Sequence, residues 1–401
     1  MPEPIRIGLV GTKFMGRTHS NAYLKVAKFF DLPRAPVMHC VAARDLRQTR
    51  TFADRWGWQQ ATDDWRAMVQ DPQVDLVDIG TPNHVHRDQA IAALEAGKHV
   101  ACEKPLAHTL DAAREMRDAA RRAAEASGAR TFVWYNYRRC PALALAHEMV
   151  QQGRLGRIYH VRGFYLQDWA GPETPMLWRF RGDEAGSGAL GDLCAHSIDA
   201  ARFVTGDEIE QVQGAILKTF ITQRPALEGD AGGEISGRGA ATSAAKMVES
   251  TVDDAVVFTA QTRGGALATF EASRLSTGDK NGNRLEIHGE HGALRFNFER
   301  MPELQWYDNT APPATQGWTT INVSSADADH PYAAAWWPTA HAIGYEHGFI
   351  NQAADMLADL AGRPPRVPLP DFEDAYQTQR VLAAVVACDQ RRAPVGLDEI
   401  R

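Results

Sequence analysis

The chain has 401 residues, enough for two domains, and its 44% apolar and 23% charged residues are typical of a globular protein. The net charge of -7 is dispersed and there is no basic block or polybasic stretch, which argues against nucleic acid or a membrane surface as a partner. The five cysteines lack C-x-x-C spacing, so we predict reduced thiols in a cytoplasmic protein. A strand is expected within the first few residues and no apolar run is long enough to span a bilayer, so we predict no leader and no membrane span.

The first part of the chain alternates predicted strands with predicted helices. The strands are expected at 5–10, 37–42, 74–79, 99–102 and 131–135, and the helices at 16–30, 46–56, 88–96 and 110–126. Such alternation is typical of a parallel, doubly wound sheet. We therefore predict an α/β fold that begins with a Rossmann dinucleotide-binding domain over residues 1–136.

After about residue 137 the hydrophobic pattern changes to period two. The alternating segments lie at 158–167, 255–262, 266–273, 284–289 and 293–298. A Gly-Gly pair at 264–265 is a hairpin signal, and a helix is expected at 191–205. We predict a mobile loop at the Gly/Ala/Ser-rich stretch 225–246, an extended linker at 362–370 and a last helix at 372–390. Residues 137–401 thus form a predicted α/β domain with a large, mostly antiparallel open sheet.

The segment GLVGTKFMG at 8–16 follows the first predicted strand and nearly matches the dinucleotide-binding loop G-x-G-x-x-G. Gly11 and Gly16 occupy the first and third glycine positions, while Lys13 stands at the second. A strand, a tight turn and a helix N-terminus form a phosphate site because free backbone N–H groups and the helix dipole face the anion. An ordinary glycine-rich turn is the alternative. The loop can tolerate Lys13 if its side chain points outward, and the ammonium group is favourable near a diphosphate.

The end of the second strand carries a cue to the cofactor. Ala43 takes the place of the acid that would accept a ribose hydroxyl, and Arg44 follows it. That order leans toward NADP, although Asp45 could still reach the ribose of NAD. A solvated Arg–Asp pair in a loop is the alternative.

Two polar segments follow the third and fourth strands, at the sheet edge where open α/β sheets bind ligands. In TPNHVH, at 81–86, the H-x-H spacing could offer two metal ligands, but polar turn chemistry is more common. In EKP, at 103–105, Lys104 is held between a strand and a proline and is a candidate for acid–base work. The alternative is a surface lysine with its stem packed down.

Asp192 and His196 are four residues apart in the predicted helix 191–205, which places them on one face. A carboxylate can orient an imidazole and raise its basicity, so the pair could be a general base and its orienter. A metal pair with Asp199, or an exposed acid beside a structural histidine, are the alternatives. The glycines at 186 and 188 indicate close backbone approach to another group.

Aromatic and arginine residues cluster in four segments. These are WYNYRR at 134–139, YLQDW at 165–169, WRF at 178–180 and HPYAAAWWP at 330–338. Rings beside planar donors suit sugar recognition, because sugar C–H faces stack on tryptophan while hydroxyls take hydrogen bonds. An aromatic core and an oligomer interface are the alternative for Trp336 and Trp337.

Taken in order, these motifs resemble the Gfo/Idh/MocA family of oxidoreductases, the relatives of glucose–fructose oxidoreductase and inositol dehydrogenase. The glycine loop, T-P-N-x-x-H, E-K-P and G-x-G-x-L-x-D-x-x-x-H-x-x-D follow one another at family spacing along essentially the whole chain. Segments such as FMGRTHSNAY, YNYRR and GSGALGD are most similar to the levoglucosan-dehydrogenase-like branch. That branch oxidises a ring hydroxyl, typically at C3 of a pyranose.

The resemblance implies an NAD(P)-dependent dehydrogenase of a sugar, anhydrosugar or cyclitol, with Lys104, Asp192 and His196 as the catalytic set. His196 would take the hydroxyl proton, Lys104 would hydrogen-bond the same oxygen, and Asp192 would hold a substrate hydroxyl; whether His196 or Lys104 is the base stays open. The implied cofactor-binding residues are Gly11, Lys13, Phe14, Met15, Gly16, Arg44, Thr81, Pro82, Asn83, His86, Glu103, Lys104, Trp178 and Arg179. The implied substrate-binding residues are Lys104, Gln167, Trp169, Asp192 and His196, and no metal is implied.

Two positions depart from the family pattern, and two other functions stay open. Lys13 replaces the middle glycine, and Cys194 stands where many relatives have glycine. The alternatives are a glycosidase of the same fold that oxidises C3 transiently and a non-catalytic dinucleotide-binding sensor. A metal hydrolase using His84, His86, Asp192 and His196 would require stoichiometric zinc in the purified protein. We expect a homodimer or homotetramer through the free face of the second sheet, because a half-buried sheet needs a partner.

Overall fold

The first unit of the fold is built on six short strands whose side chains are mostly buried. The computed structural model describes residues 3–227 and 246–401, and this unit comprises Met1–Arg139 and Gly344–Tyr376. The strands are β1 (Ile5–Val10), β2 (Pro36–Ala42), β3 (Gln60–Thr62), β4 (Leu76–Ile79), β5 (His99–Cys102) and β6 (Thr131–Val133). The helices between them are α1 (Phe14–Phe29), α2 (Leu46–Trp56), α3 (Trp65–Gln70), α4 (His86–Glu95) and α5 (Leu110–Ser127).

These strands form one parallel sheet in the order β3-β2-β1-β4-β5-β6. This is the doubly wound order of a Rossmann domain, so the predicted fold class is confirmed. The order reverses between β1 and β4, and open α/β sheets bind ligands outside the carboxyl ends of the strands at that point. The loops after β1, β4 and β5 therefore lie where a cofactor site is expected.

The second unit comprises Cys140–Ile343 and Gln377–Arg401. Its helices up to residue 343 are α6 (Pro141–Gln151), α7 (Gly182–Ala185) and α8 (Ala195–Thr205). Its strands over the same range are β7 (Ile158–Leu166), β8 (Ile209–Lys218), β9 (Gln223–Pro225), β10 (Met247–Glu249), β11 (Ala255–Thr262), β12 (Leu267–Ser273), β13 (Gly282–Gly289), β14 (Gly292–Asn297), β15 (Glu303–Asp308) and β16 (Trp318–Asn322). The chain ends with α9 (Tyr345–Leu360), α10 (Phe372–Arg391) and β17 (Val395–Gly396).

The main sheet of the second unit has nine strands in the order β16-β15-β14-β13-β7-β12-β11-β8-β17. All neighbours are antiparallel except β7 and β12, which confirms the predicted mostly antiparallel sheet. The predicted hairpin joins β11 to β12, and Gly265 adopts φ = +87° in its turn. Helix α8 packs on β7 and β13, while Ile216, Val257 and Leu267 remain 51–62% exposed.

The division into units differs from the predicted domains 1–136 and 137–401 in one segment. Helix α9 and the chain that follows it, up to Tyr376, pack within the first unit. Asp355 of α9 pairs with the buried Arg139 (Oδ2 to Nε, 3.2 Å), and Gln352 donates to the Val133 carbonyl (2.8 Å). These buried contacts attach α9 to the Rossmann sheet although it lies more than 200 residues later in the chain.

The predicted loop 225–246 lies for the most part outside the described residues. On either side of it, β9 and β10 pair as an antiparallel ribbon from Gln223–Pro225 to Met247–Glu249. Among the residues that the structure describes, no helix combines the length and the apolar character needed to cross a bilayer.

Candidate active site

The turn between β1 and α1 carries the predicted phosphate loop. Gly11 adopts φ = +110°, which favours glycine, and its N–H donates to the Ala42 carbonyl at 2.9 Å. A Cβ on Gly16 would lie 2.2 Å from the Gly11 carbonyl oxygen. Helix α1 can therefore start this close to the turn only because residue 16 is glycine.

The start of α1 has the features of an anion site. Lys13 is the exposed N-cap residue, its side chain makes no capping hydrogen bond to the described residues, and the first turn holds no acid. The N–H groups of a first turn have no partner inside the helix and carry the positive end of its dipole. Phe14 and Met15 are half-buried, and the Phe14 ring stacks on Tyr345 of α9 with centroids 6.1 Å apart.

The loop after β4 is held by a histidine that joins it to the E-K-P loop. Pro82 and Asn83 begin a short turn ahead of α4. His86 is fully buried; its Nε2 lies 2.9 Å from the Thr81 carbonyl oxygen and its Nδ1 lies 3.2 Å from that of Pro105. Burial lowers the pKa of His86. The ring has no exposed surface in this structure, and its direct contact with a cofactor stays a prediction.

The E-K-P loop combines two buried residues with one that stays partly exposed. Glu103 is buried; its Oε1 lies 3.1 Å from His19 Nε2, and its Oε2 accepts the Lys104 N–H at 3.2 Å. Lys104 is half-buried and precedes a cis peptide bond to Pro105, which is buried. Glu103 therefore acts inside the fold, and Lys104 is the member of the three that can reach a ligand.

The acid that follows β2 caps the next helix. Both carboxylate oxygens of Asp45 are used at the start of α2, by the N–H and the side-chain amide of Gln48 (3.0 and 3.1 Å). The backbone N–H of Gln48 is the largest of the hydrogen bonds that lower the pKa of Asp45. Arg44 is exposed beside it, and Ala43 carries no polar side-chain atom. The structure thus assigns Asp45 to capping the helix.

In the second unit, Asp192 and His196 lie on either side of a change in helix geometry. Leu190–Cys194 forms a single π-helical turn that runs into α8, and the Ala195 N–H donates to the Leu190 carbonyl. The predicted regular helix is therefore wider at this turn, with more residues per turn than an α-helix, a feature found frequently at functional sites. The Asp192 side chain is 25% exposed, and His196 is 6% exposed with its ring 5.9 Å from that of Tyr165.

A buried carboxylate anchors the start of this segment. Asp253 accepts the N–H groups of Gly188 (2.7 Å) and Leu190 (2.8 Å). A Cβ on Gly188 would lie 1.7 Å from the Asp253 carbonyl oxygen, so the predicted close approach is to the chain itself. Burial raises the pKa of Asp253. Cys194 is fully buried, and burial raises the pKa of its thiol, so this departure from the family pattern faces the interior.

Arg274 fixes the Asp192 carboxylate and was not predicted from the sequence. Its Nη2 lies 2.9 Å from Asp192 Oδ2, and its Nη1 donates to the Arg179 carbonyl at 3.2 Å. The arginine side chain is 1% exposed, and its guanidinium lies 5.7 and 5.6 Å from the rings of Trp169 and Phe180. A hydrogen-bonded pair with a buried arginine holds Asp192 in a defined position.

The predicted sugar-binding residues Gln167 and Trp169 belong to one polar network. Trp169 Nε1 donates to Gln167 Oε1 at 2.7 Å, and Gln167 Nε2 donates to Asn281 Oδ1 at 2.8 Å. The Tyr165 hydroxyl donates to the same Asn281 oxygen at 2.6 Å. The Tyr165 ring also contacts the His196 ring, so the network lies next to the Asp192–His196 segment. Asn281 gave no signal in the sequence, since it lies in the polar stretch before β13.

Trp178 and Arg179, predicted to contact the cofactor, occupy the short turn Trp178–Phe180. The Arg179 guanidinium lies over the Trp178 ring, 4.6 Å from its centroid, and Arg179 is 9% exposed. Within 3–227 and 246–401, no three His, Cys, Asp or Glu side chains are grouped as a metal site.

Two family models match the chain. The model described as an oxidoreductase family with an NAD-binding Rossmann fold matches residues 5–128, and that of the GFO/IDH/MocA C-terminal domain matches residues 143–295. Among characterised relatives, levoglucosan dehydrogenase of Pseudarthrobacter phenanthrenivorans is 38% identical over 401 residues, covering 99% of each chain. D-glucoside 3-dehydrogenase of Escherichia coli is 31% identical over 210 residues, covering 51% of this chain and 55% of its own.

Solved structures agree with these matches. An oxidoreductase domain protein from Kribbella flavida has a TM-score of 0.90 at 45% identity, and covers 98% of this chain and 99% of its own. Levoglucosan dehydrogenase in complex with NADH and levoglucosan has a TM-score of 0.87 at 38% identity, with the same coverage. These similarities confirm the resemblance predicted from the motifs, and the chain belongs to the Gfo/Idh/MocA family of NAD-binding oxidoreductases.

Proposed function

We propose that the chain is a dehydrogenase that oxidises a ring hydroxyl, at C3, of a pyranose or anhydrosugar of the levoglucosan type. The observation that carries the proposal is the Asp192–His196 segment, whose carboxylate is fixed by the buried Arg274. The Trp169–Gln167–Asn281 network beside it offers ring and polar contacts of the kind that sugars use. The similarity to levoglucosan dehydrogenase over 99% of the chain supports the same substrate class.

In this proposal Lys104, Asp192 and His196 act as the catalytic set. His196 takes the hydroxyl proton as the carbonyl forms, and Lys104 hydrogen-bonds the same oxygen and shares that proton. Asp192 accepts a hydrogen bond from a second substrate hydroxyl, because Arg274 holds its carboxylate in place. When bound, the nicotinamide ring supplies the acceptor for the hydride that leaves the carbinol carbon.

The residues of the first unit fit a dinucleotide. The Gly11 turn and Gly16 form a cradle that a Cβ would fill, and the first-turn N–H groups of α1 face the position of a diphosphate. We propose that residues 11–16, together with Lys104, hold the cofactor, with Thr81, Pro82 and Asn83 shaping the adjacent loop. His86 and Glu103 then serve by fixing these loops.

We propose that the chain accepts both NAD and NADP. The Asp45 carboxylate caps α2, and Ala43, at the position of the ribose-binding acid, carries no charge. The exposed Arg44 can pair with that phosphate. Arg44→Glu is expected to weaken NADP binding at least tenfold and to change NAD binding less than threefold. Equal effects on both cofactors would contradict this assignment.

The central experiment is a cofactor-reduction screen with the purified protein. Levoglucosan, other anhydrosugars, monosaccharides and cyclitols are each supplied with NAD and with NADP, and reduction is followed at 340 nm. We expect net reduction with levoglucosan or a related sugar. Release of an aglycone from a glycoside without net reduction would instead favour the glycosidase of the same fold.

Two variants test the residue assignment. Lys104→Ala and His196→Ala are expected to remove turnover while NADH still binds. Lys98→Ala serves as a control, since Lys98 Nζ donates to the Asp71 and Val74 carbonyls and has no role in the proposed site. Near wild-type turnover in both site variants would refute the catalytic assignment.

We further propose that the exposed face of the nine-stranded sheet forms a homodimer or homotetramer. Ile216 of β8 and Val257 of β11 are directly opposite each other and are 61% and 51% exposed, and Leu267 on β12 is 62% exposed. Large exposed apolar side chains on one face of a sheet are typical of interaction surfaces. Val257→Lys is expected to dissociate the oligomer in light-scattering measurements of molar mass, whereas a wild-type chain that is monomeric would refute the proposal.

A further inference from the structure

A fully buried histidine lies between two buried carboxylates in the first unit. His19 of α1 is 0% exposed; its Nδ1 lies 3.1 Å from Asp78 Oδ1 on β4, and its Nε2 lies 3.1 Å from Glu103 Oε1. Asp78 is 0% exposed and also accepts the Tyr23 hydroxyl (2.8 Å) and Trp134 Nε1 (3.0 Å). His19 and Asp78 belong neither to the phosphate loop at 11–16 nor to the proposed catalytic set.

The two carboxylate acceptors that face the ring indicate its charge. An ionised carboxylate only accepts hydrogen bonds, so two of them facing the two ring nitrogens require a hydrogen on each nitrogen. The Trp134 ring stacks on the imidazole with centroids 4.3 Å apart, an arrangement that is favourable for a cation. Buried carboxylates are also costly unless they are paired, and the imidazolium supplies the pairing.

The other titratable groups in the cluster do not compensate these charges. Burial raises the pKa of the Tyr23 hydroxyl and of the Cys102 thiol, so both are uncharged near neutral pH. Burial lowers the pKa of His86, whose ring nitrogens face backbone carbonyls. For His19, burial works against protonation, but Asp78 and Glu103 outweigh it and raise the pKa of the ring to about 9.

The position of Glu103 connects this cation to the proposed site. One carboxylate oxygen of Glu103 faces His19, and the other accepts the Lys104 backbone N–H at 3.2 Å. His19 itself lies little more than one turn into α1, behind the glycine turn. A single buried ring therefore ties the phosphate-binding helix to the loop that carries Lys104.

We propose that His19 is a positioning residue: a buried imidazolium that holds Glu103 in place and, through Glu103, fixes the backbone of Lys104. This inference rests on the proposed function, in which Lys104 acts on the substrate oxygen. A catalytic group that is displaced by about 1 Å can lose about 100-fold in rate. Removal of the cation is therefore expected to lower kcat rather than the affinity for the cofactor. The backbone amides proposed to bind the diphosphate belong to residues 11–16, which precede His19 in the chain.

The first test is the protonation state of His19 in the full-length protein. Nitrogen-15 NMR of histidine-labelled protein at pH 8 is expected to contain one ring with both nitrogens protonated, and its signals should disappear in His19→Gln. A His19 ring that is neutral at pH 8 overturns the proposal. If His19→Gln does not fold, Glu103→Gln gives a second arm, since loss of the facing anion should reduce the protonated fraction of the same ring at pH 8.

The second test separates positioning from general stability. His19→Gln is expected to lower kcat by 10- to 100-fold while the Kd for NADH changes less than threefold. His39→Gln is the matched control, because His39 is also buried, contacts one carboxylate (Asp71, 3.0 Å) and one amide (Gln59), and should leave kcat unchanged. A folded His19→Gln protein with kcat within twofold of wild type overturns the proposal. Lys104→Ala distinguishes the two claims: retained turnover there refutes the catalytic role of Lys104, while the NMR result still decides the charge of His19.

Discussion

The substitution Gly16→Ala tests the phosphate loop with one added carbon. The new Cβ would lie 2.2 Å from the Gly11 carbonyl oxygen and 2.9 Å from its carbonyl carbon, whereas ordinary contact begins near 3.4 Å. Both opposing atoms belong to the backbone, so no side chain can rotate away. The start of α1 and the Gly11 turn must therefore separate by about 1 Å.

That separation is large for hydrogen bonds to a diphosphate. An N–H···O distance of about 2.9 Å that lengthens by about 1 Å is no longer a hydrogen bond. Charge-assisted hydrogen bonds contribute about 1.5–3 kcal/mol each, so the loss of one or two corresponds to about 2–5 kcal/mol. We therefore expect the Kd for NADH to rise at least about 30-fold.

The free energy of unfolding tests the same substitution independently of cofactor binding. In an unconstrained helix Gly→Ala stabilises by about 1 kcal/mol, whereas overpacking destabilises by about 1–3 kcal/mol. We expect a lower free energy of unfolding for Gly16→Ala in urea titrations, and a loss of NADH affinity in calorimetry.

Gly80→Ala is the matched control. Its Cβ would meet Met15 Cβ at 3.5 Å, an ordinary contact beside the same loop, so NADH affinity should stay within threefold of wild type. A folded Gly16→Ala protein that binds NADH as tightly as the Gly80→Ala control would refute the reasoning.

Three other perturbations test separate parts of the structure. Arg274→Met removes the partner of Asp192 and should lower the free energy of unfolding by about 1.5–3 kcal/mol in urea titrations, because loss of the buried arginine leaves a charge-assisted hydrogen bond unmade. Arg284→Met, at a surface pair whose arginine is 39% exposed, should cost less than about 1 kcal/mol, and equal effects would contradict a structural role for the Arg274–Asp192 pair. Lys13→Gly should raise the Kd for NADH by about two- to fivefold and reduce its dependence on salt, and an unchanged salt dependence would mean that the side chain points into solvent. Because the folded pKa of His19 is raised from 6.5 to about 9, its contribution to stability is complete below pH 6.5 and is lost as the pH rises through 9. The difference in unfolding free energy between wild type and His19→Gln should therefore shrink by on the order of 3 kcal/mol between pH 6 and pH 10, and a constant difference would exclude a charged ring.

The first unit was largely predictable because its signals are local. Glycine turns, helix stops and apolar strands each act within a few residues, and helix α2 and strands β1 and β5 have the predicted bounds. The short β3 and α3 were missed, since three and six residues are too few for a periodic pattern.

The second unit was less predictable because several of its elements depend on tertiary contacts. Strand β8 pairs with β11 through two register shifts, which interrupt the alternation of buried and exposed residues. Helix α9 is buried at every position from 348 to 357, so it shows no polar face to indicate a helix.

The same difference separates the predicted site residues from the missed ones. Lys104, Asp192 and His196 lie in short motifs that can be read in order. Arg274 acts on a carboxylate 82 residues earlier, and Asp78 meets His19 from 59 residues away. Neither contact leaves a trace in the local sequence, because only the folded chain brings these groups together.

The return of α9 to the Rossmann sheet has a consequence for biosynthesis. The first unit contains Gly344–Tyr376, so a ribosome must translate nearly the whole chain before that unit has all its parts. Until then the buried Arg139 has no Asp355, and the surface of α1 that α9 covers stays open to water. Domains that begin to fold during synthesis expose such surfaces to aggregation and to chaperones. We expect chaperones to retain a fragment that ends at residue 139. Co-expression of residues 344–376 as a separate chain should release that fragment.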